Sequence, residues 1–142
     1  MAGSNLQIID TLADETKPDL ALKNAQEALV KHPDLAGLVG IYSYNGPQIL
    51  AAVRGAGKAG QVKIVCFDDD SATLDGVASG DIYGTVVQIS TRIGYETICR
   101  MDKYLGGDKS QLAQGNVLFK SVAVNKGLVE SLQAWHEDKL QP

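Results

Sequence analysis

Val62-Lys63-Ile64-Val65-Cys66-Phe67 runs straight into Asp68-Asp69-Asp70-Ser71. The first six residues are apolar except for Lys63, and Val62, Ile64, Val65 and Phe67 are β-branched or aromatic. Such a run reads as a strand of a parallel sheet, buried on both faces. The polar residues after it start a short helix whose buried side is Leu74, Val77 and Ala78, closed by Ser79-Gly80. Strand, acidic turn and helix together make one βα unit.

Working outward, the unit repeats. On the N-terminal side, Leu38-Val39-Gly40-Ile41-Tyr42 reads as a strand, Asn45-Gly46-Pro47 as a turn, and Ile49, Leu50, Val53 and Ala56 as the buried face of a helix. The glycines at 55, 57 and 60 mark the end of that helix. Further back, Leu22, Ala25 and Leu29 recur at i, i+3, i+7, flanked by Ala21 and Ala28. Asp14 and Thr16 are candidate caps of this helix, and Pro18 suits its first turn. Lys31-His32-Pro33 ends it, because proline disfavours the helical region for the residue before it. Leu6-Gln7-Ile8-Ile9 reads as the first strand.

On the C-terminal side, Ile82 to Gln88 reads as a fourth strand. Ile89, Ile93, Thr97, Met101 and Leu105 then repeat every four residues, an amphipathic helix ended by Gly106-Gly107-Asp108. The connection from Gly107 to Gly115 is the most polar stretch. Val117 to Val124 has mixed polarity and reads as a fifth, edge strand, after which Asn125 can cap a last helix with the face Leu128, Leu132 and Trp135. Five βα units in succession predict an α/β fold. It is a three-layer αβα lobe with a mostly parallel five-stranded sheet, flavodoxin-like (βα)5, spanning residues 1–142 as a single lobe. Met1-Ala2-Gly3-Ser4 lacks the charged and apolar regions of a signal peptide and reads as a vector-derived start.

Composition narrows the function. The chain has 142 residues with 13 basic and 17 acidic side chains, a net charge of −4. It carries no basic stripe to release counterions from nucleic acid, and its apolar runs are too short for a membrane span. Cys66 and Cys99 are isolated and read as buried thiols, and His32 and His136 have no partners at metal-ligand spacing. No Gly-x-Ser-x-Gly nucleophile turn is present. The Gly-rich Gly55-Ala56-Gly57-Lys58-Ala59-Gly60 ends a helix, whereas a phosphate loop joins strand to helix. These features point to a binding module rather than an enzyme, with no cofactor and no metal.

In an open parallel sheet, ligands bind beyond the carboxyl ends of the strands. The residues falling there are Asp10, then Tyr44 and Asn45, then Asp68 to Asp70, then Gln88. Asn45, Asp68 and Gln88 have planar head groups that engage two hydroxyls at once, which suits a polyhydroxylated ligand. Tyr42 and Tyr44 lie on one face of a strand end and can stack on a sugar, with core packing the alternative for Tyr42. Each residue also has a simpler reading. Asn45 can merely cap its helix, Gln88 can be a solvated strand end, and the three aspartates can form a capped turn.

The series Leu38 to Pro47, then Val65-Cys66-Phe67-Asp68, then Gly84-Thr85-Val86-Val87-Gln88 resembles the C-terminal half of periplasmic sugar-binding proteins of the ribose/galactose type, which serve ABC importers. The likeness runs from about Leu6 to Leu140. It implies a monosaccharide ligand held without covalent chemistry, hydrogen-bonded by Asn45, Asp68 and Gln88, with Tyr44 beside them. It also implies a periplasmic or extracellular parent, a membrane permease as partner, and a second, N-terminal lobe that this chain lacks. In that family a further strand lies between the counterparts of the first and second strands here, and its βα unit is not found in this sequence. The helix from Ile89 to Leu105 crosses to the other lobe in such proteins. Here it is expected to fold back onto the sheet. Failing that, a second copy would cover it and the exposed sheet edge, making a homodimer. Sugar-responsive repressors share the fold and are the first alternative. A phospho-acceptor receiver domain is the second, with Asp68 as acceptor, although the acidic pair after strand one and a Lys-Pro in strand five are missing.

Overall fold

The computed structural model describes residues 5–110 and 115–132. Helix α1 (Pro18–Lys31) comes first, followed by β1 (Gly37–Val39), α2 (Asn45–Gly55), β2 (Lys63–Phe67), α3 (Ser71–Ser79), β3 (Gly84–Val87), α4 (Ser90–Leu105) and β4 (Val122–Val124). The strands form one sheet in the order β1-β2-β3-β4. β1, β2 and β3 are parallel, with Val39 opposite Val65 and Phe67 opposite Val86. β4 runs antiparallel to β3, Thr85 facing Val124.

The core lies on one face of this sheet. Ile64 and Cys66 of β2 are fully buried and alternate with Lys63, Val65 and Phe67, which are not. Ala25 and Leu29 of α1, Ile49, Leu50 and Val53 of α2, and Leu74 and Val77 of α3 join Ile64, Cys66, Val87 and Val124 in a single apolar cluster. α1 packs along α2, and α2 along α3 and β2. Local chemistry ends the elements where expected. Gly80 adopts φ 91°, and its N–H bonds back to the carbonyls of Gly76 and Val77, a turn that only glycine takes without strain.

The α/β class and the mostly parallel sheet agree with the sequence reading; three details differ. Residues 6–9 form no strand and are exposed. A strand needs a neighbour for its N–H and C=O groups. The strand that the resemblance sets between this segment and β1 is not supplied by any described residue. The sheet therefore has four strands among the described residues, and β2 is covered on one face rather than two. Second, α4 does not fold back. None of its residues is buried, and Met101 and Leu105 are 54% and 79% exposed. Among the described residues the helical layer on the second face is thus not formed. Val39 there is 60% exposed, and Val65, Phe67 and Val86 are half-covered. Third, the fifth strand is shorter than predicted, because residues 115–121 lie outside the ladder. Asn125 does start a helical turn, accepting the Gly127 N–H at 3.0 Å, with helix from residue 129. Leu128 and Leu132 belong to it, whereas Trp135 lies outside the described residues.

Candidate functional site

Because β1, β2 and β3 are parallel, the segments leaving their C-terminal ends share one rim of the sheet. Asn45 begins α2 just beyond β1 and is 7% exposed. Its Oδ1 accepts the backbone N–H groups of Ile41 (3.1 Å) and Tyr42 (2.8 Å), which pins the loop between strand and helix. Its Nδ2 donates to Asp14 Oδ2 at 2.7 Å. Tyr44 precedes it, and its hydroxyl donates to Asp14 Oδ1, also at 2.7 Å. The ring of Tyr44 stacks on that of Tyr42, centroids 5.9 Å apart and planes 4° from parallel. Gly46 lets α2 sit this close: a Cβ there would lie 2.2 Å from Thr73 Oγ1 and 3.1 Å from Cys66 Sγ.

Asp68 leaves β2 in a left-handed conformation, φ 66°, which non-glycine residues other than Asn and Asp seldom adopt and which its surroundings here fix. β3 does so from both sides. The Asp68 N–H donates to the Val86 carbonyl at 2.9 Å, and its own carbonyl accepts the Thr85 hydroxyl at 2.7 Å. The Asp68 carboxylate accepts from Gln88 Nε2 at 3.3 Å, so residues 68 and 88 meet at the rim. Asp70 is the N-cap of α3, accepting the Ala72 N–H at 2.9 Å.

The four residues singled out from sequence thus form two groups on one edge. Asp68 touches Gln88, and Tyr44 and Asn45 meet through Asp14. Two assignments change. Asn45 does not cap its helix, since its carbonyl oxygen is spent on Ile41 and Tyr42. Tyr42 does not pack in the core: it is 55% exposed and presents the outer face of the stacked pair. Asp10, placed by sequence at the first strand's end, sits instead in extended chain and pairs with Lys31 at 3.6 Å.

The residue whose place at this rim the sequence does not show is Asp14. The sequence offers it as a cap of α1, but Lys17 holds that position without a side-chain bond. No residue pattern announces its position: Glu15 and Thr16 both take positive φ (51° and 59°), which neither residue type favours, and the turn leaves Asp14 against Tyr44 and Asn45. The hydroxyl of Tyr44, with smaller help from Asn45 and the Thr16 N–H, holds the Asp14 carboxyl below the usual carboxylate range, against a desolvation cost. Desolvation first, then the same bond, raises the Tyr44 phenol. Burial alone pushes the Cys66 thiol up to about 12, so it is not a nucleophile at neutral pH. Among the described residues no group of three His, Cys, Asp or Glu is placed to hold a metal ion, and no helix is long and apolar enough to cross a membrane. Gln88 also lines a cleft of about 160 Å³ with Ile89, Ile93, Val117, Leu118 and Phe119, where α4 departs and the chain returns.

Residues 1–109 match the family model described as a periplasmic binding protein domain. The chain belongs to the periplasmic binding protein family. Solved structures agree. An ABC-transporter solute-binding protein from Agrobacterium vitis with bound D-fucose is 25% identical, at a TM-score of 0.78, over 94% of this chain and 45% of that one. XylFII in the XylFII-LytSN complex is 26% identical over 88% of this chain and 43% of that one, TM-score 0.76. The arabinose-binding protein AraP from Geobacillus stearothermophilus (23%; 88% and 45%; 0.74) shares the fold. The chain spans less than half the length of these structures. A search of curated proteins finds no match. Relatives of this kind are solute-binding proteins, not enzymes.

Proposed function

We propose that this chain is one lobe of the receptor of a sugar ABC importer and binds a monosaccharide without covalent chemistry at the rim formed by Asn45, Asp68, Gln88 and the Tyr42–Tyr44 pair. The observation that carries the reading is the geometry of Asp68. Its backbone is held left-handed by two bonds to β3, so that its carboxylate meets the Gln88 amide at the strand ends. A carboxylate and an amide in contact accept from and donate to neighbouring hydroxyls together. The sugar-binding neighbours of the same fold, one holding D-fucose, support that assignment.

The parent receptor would work outside the cytoplasmic membrane and hand its sugar to a permease. A second lobe would close over the ligand from the other side. Acting alone, this lobe binds weakly. Two or three hydrogen bonds at about 1 kcal/mol net each fall short of the about 4 kcal/mol that a Kd of about 1 mM represents, which puts Kd above about 1 mM.

Isothermal titration calorimetry with D-fucose, D-xylose, D-arabinose and D-galactose tests this. Millimolar binding that Asp68→Ala abolishes is the expected result. Sub-micromolar binding by the isolated chain contradicts the half-site reading. Binding that survives Asp68→Ala and Gln88→Ala contradicts the site.

A further inference from the structure

We infer that Asp14 is a ligand-contacting and specificity-determining residue of this rim, and that with Asp68 it makes the site select neutral sugars over acidic ones. The inference rests on the sugar-binding reading above and goes beyond it in naming a residue and a ligand class.

Asp14 is held by three donors: Tyr44 Oη and the Thr16 N–H on Oδ1, and Asn45 Nδ2 on Oδ2. A carboxylate accepts about four hydrogen bonds, so Oδ2 retains capacity for one more. The bonds it does accept fix its orientation, which lowers the entropy lost when a ligand hydroxyl takes that last position. Asn45, by contrast, has spent its oxygen on the backbone and one amide hydrogen on Asp14. The Asn45–Asp14 pair therefore offers a ligand one amide donor and one carboxylate acceptor. Asp68 adds a second carboxylate at the neighbouring strand end. Among the described residues neither Asp14 nor Asp68 has a basic side chain within ion-pair distance. Two uncompensated carboxylates suit a ligand rich in hydroxyl donors and repel one that brings a negative charge.

D-Fucose, D-galactose and D-galacturonate make a suitable series, since they share ring stereochemistry and differ only at C6. Chemical shifts of the ¹⁵N-labelled chain are followed at low ionic strength while each sugar is added. The wild-type chain is expected to bind D-galactose at least about tenfold more tightly than D-galacturonate, with shifts at residues 14–16 as well as near 45, 68 and 88. Asp14→Asn is expected to weaken D-galactose about five- to tenfold and to narrow the gap between the two sugars, and Asp14→Glu to recover part of both. Near-ultraviolet circular dichroism of the Tyr42–Tyr44 pair reports separately whether the rim keeps its shape. Equal affinity of the wild type for galactose and galacturonate overturns the proposal, and this comparison stands even if the variant does not fold. An Asp14→Asn chain that binds both sugars as the wild type does overturns it too, leaving the sugar-binding reading intact. The absence of shifts with every neutral sugar defeats that reading, and this inference with it.

Discussion

Replacing Gly46 with alanine tests how the rim is built. Gly46 lies in the first turn of α2, next to Asn45, where the helix crosses β2 and α3. An alanine Cβ would stand 2.2 Å from Thr73 Oγ1, 3.3 Å from Thr73 Cβ and 3.1 Å from Cys66 Sγ. Thr73 and Cys66 are both 0% exposed, so neither can swing into solvent to make room. Overpacking of this kind costs about 1–3 kcal/mol. Against it stands the preference of a helix for alanine over glycine, at most about 1 kcal/mol and smaller in the first turn. The net expectation is a loss of about 1–2 kcal/mol, measured as a lower urea midpoint at unchanged m-value. Thr73→Ala removes the nearest atom, an Oγ1 that is buried and has no hydrogen-bond partner. The double variant Gly46→Ala/Thr73→Ala should therefore recover most of the loss, whereas Gly46→Ala/Thr73→Ser, which keeps the hydroxyl, should not. A Gly46→Ala chain as stable as the wild type, or a cost that Thr73→Ala leaves untouched, would refute the packing argument.

Other substitutions separate the covered face from the open one. Ile64→Ala empties a fully buried position against α2 and should cost about 2–5 kcal/mol in chemical unfolding. Leu105→Lys, on a helix with no buried residue, should move stability by less than about 0.5 kcal/mol in dilute solution. If a second copy covers α4, the same change should shift the chain towards monomer in size-exclusion chromatography with light scattering. The Asp14–Tyr44 bond predicts a pH profile with two limbs. Asp14 is held below its ordinary 3.8, so its share of stability is present above that value and lost as the pH falls through the lowered one. Tyr44 is raised above 10.0, so its share is present below pH 10 and lost as the pH rises through the raised value. Thermal melts across pH should show the acid limb lost in Asp14→Asn and the alkaline limb reduced but still present, since desolvation is the larger cause of the Tyr44 shift.

Much of this molecule was legible from residue order. The run Val62–Phe67 and the Ser79-Gly80 stop placed β2 and α3 because burial on the core side and the left-handed turn are local demands. The same holds for the Leu22, Ala25, Leu29 stripe of α1. What failed depends on partners that local pattern cannot show. Leu6–Ile9 has a strand's composition but no neighbouring strand to bond it. The Ile89–Leu105 stripe is amphipathic, yet no described element lies against it. At the rim, the placement of Asn45, Asp68 and Gln88 beyond the strand ends was readable because parallel strands bring their carboxyl ends to one edge. Asp14 was not, since its place there depends on two successive positive-φ residues, Glu15 and Thr16, which are neither glycine nor asparagine.

In the proposed function the strand-end rim grips sugar hydroxyls through residues 45, 68 and 88. Mapping amide shifts of the labelled chain during titration with D-fucose tests it most directly. Saturable shifts clustered at residues 40–46, 67–69 and 87–89, with α1 and the far ends of the strands unmoved, are the predicted result. Shifts confined to the opposite edge or to α4, or none at sugar concentrations well above the millimolar range, would contradict it.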